Sequence, residues 1–153
     1  LAPDTVKRLS ELDPIEGVND SSGNFDNMLQ YIEKTREMDF AVLSGNDSLI
    51  LWNLLAGGTG GIAGCANVFP QNMAGIYQAF QEGNIEQARK YQDNIREFRS
   101  LFRYGNPNTV VKTAVELLGY PVGKCRRPFA EIVPEGMEKI REVLKKYERE
   151  GIC

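Results

Sequence analysis

The sequence predicts an α/β fold: three strand–helix units of a parallel sheet followed by an all-helical tail. Three observations predict it. Short apolar strand candidates alternate with helical periodicity over residues 1–70, the signature of a parallel sheet wrapped by helices. The connections between them are short. After Pro70 the pattern changes to helices alone.

The elements follow in order. Pro3, with Asp4 or Thr5, opens a helix that carries Val6 and Leu9 to about Leu12. Asp13-Pro14 stops it, because the residue before proline avoids the helical region. Ile15–Val18 is the first strand, and Ser21–Asn24 a loop. Asn24 or Asp26 caps a helix whose Met28, Leu29, Ile32 and Met38 keep a helical period. Phe40–Ser44 is a strand apolar enough to be covered on both faces. Gly45–Ser48 turns into a third helix, in which Leu49, Ile50, Leu51, Trp52, Leu54 and Leu55 leave little polar face, so burial on several sides is expected. Gly57-Gly58 ends it, and Gly61–Gly64 is a third short strand. Residues 71–81, 84–104, 108–118 and 134–150 read as helices. The last has Met137, Ile140, Val143, Leu144 and Tyr147 on one stripe, which serves either its own domain or a partner helix.

Composition sets the bounds on function. The chain has 153 residues, one domain's worth, with 42% hydrophobic and 25% charged side chains. A net charge of −3 excludes a broad nucleic-acid footprint. Residues 1–60 hold ten acidic and four basic side chains, a mild skew with the basic residues spread along helices. Histidine is absent, which removes His–Ser and His–Cys couples and His-containing zinc sites. Cys65, Cys125 and Cys153 show no C-x-x-C spacing and read as reduced thiols of a cytoplasmic protein. Cys65, among small and apolar neighbours, is expected in the core. No apolar run reaches the roughly 18 residues of a membrane span; the longest, Leu49–Ala56, is broken by Asn53. The chain opens on Leu1 with no signal pattern, as a processed or truncated chain would.

Gly58-x-Gly60-x-x-Ala63 matches a loose dinucleotide fingerprint, but it leaves a helix and enters a strand, the reverse of the context that motif needs. A helix cap and tight turn explain it. No Walker-type phosphate loop is present. Polar clusters follow each strand: Asn19–Ser22, Ser44–Asp47 and Gly64–Asn67. In β/α barrels the active site is built at these strand ends. Helix capping is the alternative for each, and for Asp47 capping and site lining both stand. A barrel needs eight strands and typically about 250 residues, so the three strands form either a small open sheet or the later part of a barrel.

Gly17-Val18-Asn19-Asp20-Ser21-Ser22-Gly23-Asn24 resembles the G-[IV]-K-[DE]-x-[ST]-G-[DN] segment of the dihydrodipicolinate synthase/N-acetylneuraminate lyase superfamily. Leu43–Asp47 resembles its segment after the seventh strand, and Gly57–Ala63 with Ala66-Asn67-Val68-x-Pro70 that around the eighth. Gly83-Asn84, Ala88-Arg89, Lys112 with Gly119, and Arg127-Pro128 fall where that superfamily has its tail helices.

The resemblance implies strands six to eight of a TIM (β/α)8 barrel plus a C-terminal helical tail: residues 1–70 as the partial barrel, 71–153 as the last barrel helix and the helical domain. It implies a Schiff-base lyase, aldolase or synthase acting through pyruvate or another 2-oxo acid; the missing histidine, the lone cysteines and the absent phosphate loop add the expectation of no cofactor and no metal. Three strands alone leave the interior face open and a strand edge unpaired, so a complementing N-terminal half-barrel or self-association, as in a homo-oligomer, is expected to cover them. Nucleic acid and membrane are not expected partners. Asn19 stands where the superfamily has its Schiff-base lysine. An imine needs an amine with a free lone pair, and an amide nitrogen has none to give. The chain as it stands is then inactive, or a non-catalytic structural module. The resemblance places Gly45 where it leaves room for substrate, Asp47 as a partner for substrate hydroxyls or a cap behind them, and Ile62 at the site through its backbone carbonyl. Ser44–Asp47 with Asp20–Ser22 leans toward sugar-acid aldolases over the lysine-pathway synthase. The barrel-interior face is expected to carry Val18, Val42 and Ile62.

Overall fold

A computed structural model describes residues 1–152. The first half alternates helix and strand: α1 (Pro3–Ser10), β1 (Gly17–Asp20), α2 (Phe25–Thr35), β2 (Ala41–Ser44), a 3-10 turn (Asp47–Leu49), α3 (Ile50–Leu55) and β3 (Gly60–Gly61). After a 3-10 turn at Gly64–Asn67 come α4 (Pro70–Gln81), α5 (Ile85–Asn94), α6 (Arg96–Ser100), a 3-10 turn at Leu101–Tyr104, α7 (Pro107–Leu117) and α8 (Pro134–Arg149).

The strands are parallel in the order β1-β2-β3. Val18 pairs with Val42, Asn19 with Leu43, and Leu43 with Gly60. Because side chains alternate along a strand, this register decides the faces. Val42 is buried with Val6 of α1 and with Met28, Tyr31 and Ile32 of α2, and Val18 packs against the same cluster. The valines therefore face the helices. The opposite, open face carries Asn19 and Leu43. The expectation that Val18 and Val42 line the interior is corrected: both pack on the helix-covered face, and β1 runs to Asp20, two residues further than expected, which puts Asn19 inside the strand. Ile62 lies past β3 and is 57% exposed.

Local chemistry explains the element ends. The Asn24 side chain accepts the Asn27 amide at 3.1 Å and caps α2. Gly57 closes α3 at φ +99°, a conformation only glycine takes without strain. Pro70, Pro107 and Pro134 each open a helix, where the missing N–H costs nothing. The third helix departs from expectation. It is six residues long, and although Ile50, Leu51 and Leu54 are buried, Trp52 and Leu55 reach solvent.

The buried Asn53 of α3 joins two strands. Its Nδ2 donates to the Val42 and Gly60 carbonyls, each at 2.9 Å, while its Oδ1 has no hydrogen-bond partner among the described residues. The larger core runs from α3 through α8, with Phe69, Phe98 and Tyr147 in ring contact at its centre. Ile140, Val143, Leu144 and Tyr147 of α8 are buried in it, so this stripe packs on its own chain. Cys65 is buried there too.

The helix expected over 84–104 is broken. Tyr147 Oη accepts the Phe98 amide at 3.2 Å and donates to the Asn94 carbonyl. A side-chain hydroxyl thus stands where the Phe98→Asn94 helical hydrogen bond would be, and α5 ends there.

Candidate functional site

The three strand ends converge on one cavity of about 810 Å³. One wall is loop: Ser21 after β1, Gly45–Asp47 after β2, and Gly64 and Asn67 after β3. The other wall is the helical tail: Arg99 of α6, Phe102, and Asn108, Val111, Lys112 and Val115 from one face of α7.

Gly45 is fixed by its neighbours. A Cβ there would lie 2.0 Å from Ser21 Oγ and 2.7 Å from Asn19 Oδ1. The Asn19 side chain therefore sits beside Gly45 at the rim of the cavity. Ser44 accepts the Asn46 amide at 3.3 Å and donates to the Asn46 carbonyl at 2.9 Å, which shapes the turn. Asn46 in turn caps the following 3-10 segment, its Oδ1 accepting the Ser48 amide at 3.1 Å.

Asp47 is buried and fully engaged. Its Oδ1 accepts the Cys65 amide at 3.0 Å, and its Oδ2 receives Arg99 Nη1 at 3.0 Å. The second Arg99 nitrogen donates to Asn46 Oδ1 at 3.0 Å, and the guanidinium lies 4.7 Å over the Phe102 ring. Gln92 finishes the joint, donating to the Asp47 carbonyl at 2.8 Å and accepting the Leu51 amide at 2.9 Å. The loop after β2 is thus tied to α5 and α6. Burial, and next the Asp47 charge, push the Cys65 thiol far above the ordinary thiol range, so it stays protonated and unreactive.

Of the residues the sequence singled out, Gly45 and Asp47 line the cavity, Asn19 borders it, and Ile62 does not line it. The Ile62 amide donates to the Ser44 carbonyl at 2.9 Å, which fixes its backbone next to β2. Arg99 and Lys112 were not expected at the site. Nothing local marks Arg99, whose partner lies 52 residues earlier. Lys112 follows the α7 periodicity, but only the docking of α7 against the strand ends brings it to the cavity. Among the described residues no group of three or more His, Cys, Asp and Glu could hold a metal ion, and no helix is long and apolar enough to cross a membrane. The cavity offers neutral amides, one hydroxyl, one compensated carboxylate and a lysine ammonium: an arrangement that can bind and orient an anion, with no amine on β1 to react with one.

The family model for the dihydrodipicolinate synthetase family matches residues 1–147. The 4-hydroxy-tetrahydrodipicolinate synthase of Archaeoglobus fulgidus is 43% identical over 147 residues, 95% of this chain and 50% of that protein. The synthase of the same name from Methanospirillum hungatei is 38% identical over 149 residues, 97% of this chain and 51% of its own. Among solved structures, dihydrodipicolinate synthase from Aquifex aeolicus superposes with a TM-score of 0.88 at 33% identity, over 96% of this chain and 50% of that one. The chain spans about half the length of the curated relatives it matches. With the family model covering nearly every residue and the strand-end motifs gathered around one cavity, this chain belongs to the dihydrodipicolinate synthetase family.

Proposed function

We propose that this chain is the C-terminal half of a Schiff-base, pyruvate-dependent aldolase or synthase that makes or breaks a C–C bond to pyruvate. In this reading it supplies strands six to eight of the barrel through residue 70, and the last barrel helix and helical domain from 71 to 153. One observation carries the reading: Asn19 of β1 and Gly45 of the loop after β2 lie side by side at the rim of a cavity built by three successive strand ends. Asn19 stands at the Schiff-base position and Gly45 leaves space for the 2-oxo acid; the resemblance alone assigns the Ile62 carbonyl, just past the third strand, to the same site. Asp47 acts as a cap behind the site, since both its oxygens already hold donors. The relatives named above are synthases, which supports a synthase-type acceptor over a sugar-acid aldehyde.

A second reading rests on Asn19 itself. Its amide cannot form an imine, so the chain as it stands is inactive and serves as a half-barrel assembly module. Both readings require company. Among the described residues no strand lies beside the outer edges of β1 and β3, and unpaired edges invite pairing. A complementing N-terminal half or a second copy covers them.

The test is intact mass after treatment with pyruvate and borohydride. The chain and its Asn19→Lys variant are each combined with the N-terminal half of the Archaeoglobus fulgidus relative. A single adduct on the lysine variant alone is the expected result. A stoichiometric adduct on the Asn19 form would sink the assignment of position 19, and no adduct on a folded lysine variant would sink the Schiff-base reading. Sedimentation is expected to show association; a well-folded strict monomer at micromolar concentration would count against the need for a partner.

A further inference from the structure

The three strand-end loops are joined through one guanidinium. Arg99 reaches them from α6, and its two terminal nitrogens have different partners: Nη1 donates to Asp47 Oδ2 and Nη2 to Asn46 Oδ1, each at 3.0 Å. The first contact leads on to the loop after β3, because the other Asp47 oxygen accepts the Cys65 amide at 3.0 Å. The second leads to the loop after β1. Asn46 Oδ1 also accepts the Ser48 amide at 3.1 Å, so two donors fix which end of this carboxamide is oxygen. The nitrogen end lies against Gly23, where a Cβ would stand 3.0 Å from Asn46 Nδ2. Arg99 itself has little freedom. Phe98, the residue before it, is buried, and its amide donates to Tyr147 Oη at 3.2 Å. The guanidinium lies 4.7 Å from the centre of the Phe102 ring. A planar guanidinium holds two acceptors in fixed directions, and an ammonium has no such fork.

We infer that Arg99 is a positioning residue for the cavity: it sets the mutual placement of the loops after β1, β2 and β3, so that the helical tail governs how the strand ends hold a ligand. The inference rests on the reading of the cavity as a substrate site. It is distinct from the stability of the Asp47–Arg99 ion pair. Asn46 is neutral, and it links Arg99 to a loop that pairing with Asp47 alone does not reach. The fork is the feature that matters, since one arm serves the buried carboxylate and the other the carboxamide.

The test is amide exchange at Ser48 and Cys65 and the amide chemical shift of Gly23, in the chain as it exists. Arg99→Lys keeps one cation for the buried carboxylate and loses the fork. Cys65 exchange is then expected to stay within about threefold of the wild type, while Ser48 exchange quickens about tenfold and the Gly23 signal moves. Arg99→Met quickens both amides about tenfold or more. Val143→Ala, on the α8 side of the core, weakens the fold and leaves all three signals near their wild-type values. Wild-type behaviour of Ser48 and Gly23 in Arg99→Lys, or equal changes in Val143→Ala, overturns the inference. Should methionine unfold the tail, the lysine variant decides by itself. A second readout uses the Asn19→Lys chain combined with the Archaeoglobus fulgidus half. There Arg99→Lys is expected to raise the pyruvate concentration for half-maximal trapping about tenfold, as misplaced loops would, with the final adduct still one per chain. An unchanged concentration also overturns the inference. Failure of Asn19→Lys to trap pyruvate at all sinks the imine reading, and the exchange pattern still judges Arg99.

Discussion

The Tyr147 hydroxyl accepts the Phe98 amide at 3.2 Å from 49 residues away, and by donating to the Asn94 carbonyl it replaces one helical hydrogen bond with two. This joint ends α5, starts α6, and so aims Arg99 at the loop after β2.

Tyr147 makes the stability of the chain sensitive to alkali. Burial pushes its phenol up from the ordinary 10 to about 12. The folded state then keeps a proton that the unfolded chain has already lost, so this contribution is intact below pH 10 and is lost as pH rises through about 12. Tyr147→Phe leaves the Phe98 amide and Asn94 carbonyl unpaired and costs about 1–3 kcal/mol at pH 8. Because phenylalanine does not titrate, the gap between the two proteins in urea midpoints is expected to narrow between pH 10 and pH 12. A gap constant across that window would refute the role given to the phenol.

Removing Arg99 leaves the Asp47 charge buried without its cation, the side chains being 25% and 4% exposed. Arg99→Met is expected to cost about 3 kcal/mol, in the range for breaking a buried pair from one side. Asp47→Asn should cost less, since its amide oxygen can still accept the Cys65 amide. Denaturant unfolding of the two variants and of the double variant measures the coupling, and additive losses would show the pair to be idle.

At Gly45 the space is already taken by Ser21 Oγ and Asn19 Oδ1. Gly45→Ala is expected to destabilise by about 1–3 kcal/mol through overpacking. Ser21→Ala in the same chain should recover part of that loss, because the nearest atom is the hydroxyl, 2.0 Å from the added Cβ. Thermal unfolding of the single and double variants decides it; no recovery would place the clash at Asn19 Oδ1, 2.7 Å from the added Cβ, in place of the hydroxyl.

Asn53 is the bridge between β2 and β3. Asn53→Leu removes two donors and leaves the Val42 and Gly60 carbonyls without them, at a cost of about 2–4 kcal/mol. The loss should be local first. Amide exchange at Thr59 and Ile62, whose N–H groups bond Val42 and Ser44 at 2.9 Å, is expected to quicken before global unfolding; unchanged protection there would argue against the bridge.

The sequence by itself determined the alternation of strands and helices, the helical tail, the burial of Cys65 and the places where polar loops follow strands. Those are local: periodicity, proline and glycine positions, and caps such as Asn24 are written within a few residues of where they act. The strand-end motifs also carried the family resemblance, since residues that must sit next to one another in the cavity keep a fixed spacing from their strands.

Tertiary structure decided the rest. Strand register sets which face each residue takes, and a shift of one residue reverses it; the pairing of Val18 with Val42 and of Asn19 with Leu43 turned the valines to the helices and left Asn19 on the open face. The break after Asn94 depends on Tyr147, the burial of Asp47 on Arg99 and Gln92, and the presence of Lys112 at the cavity on how α7 docks. Each partner lies far away along the chain, and only the packing of the large core brings it within hydrogen-bonding or field range, which no local pattern of residues encodes.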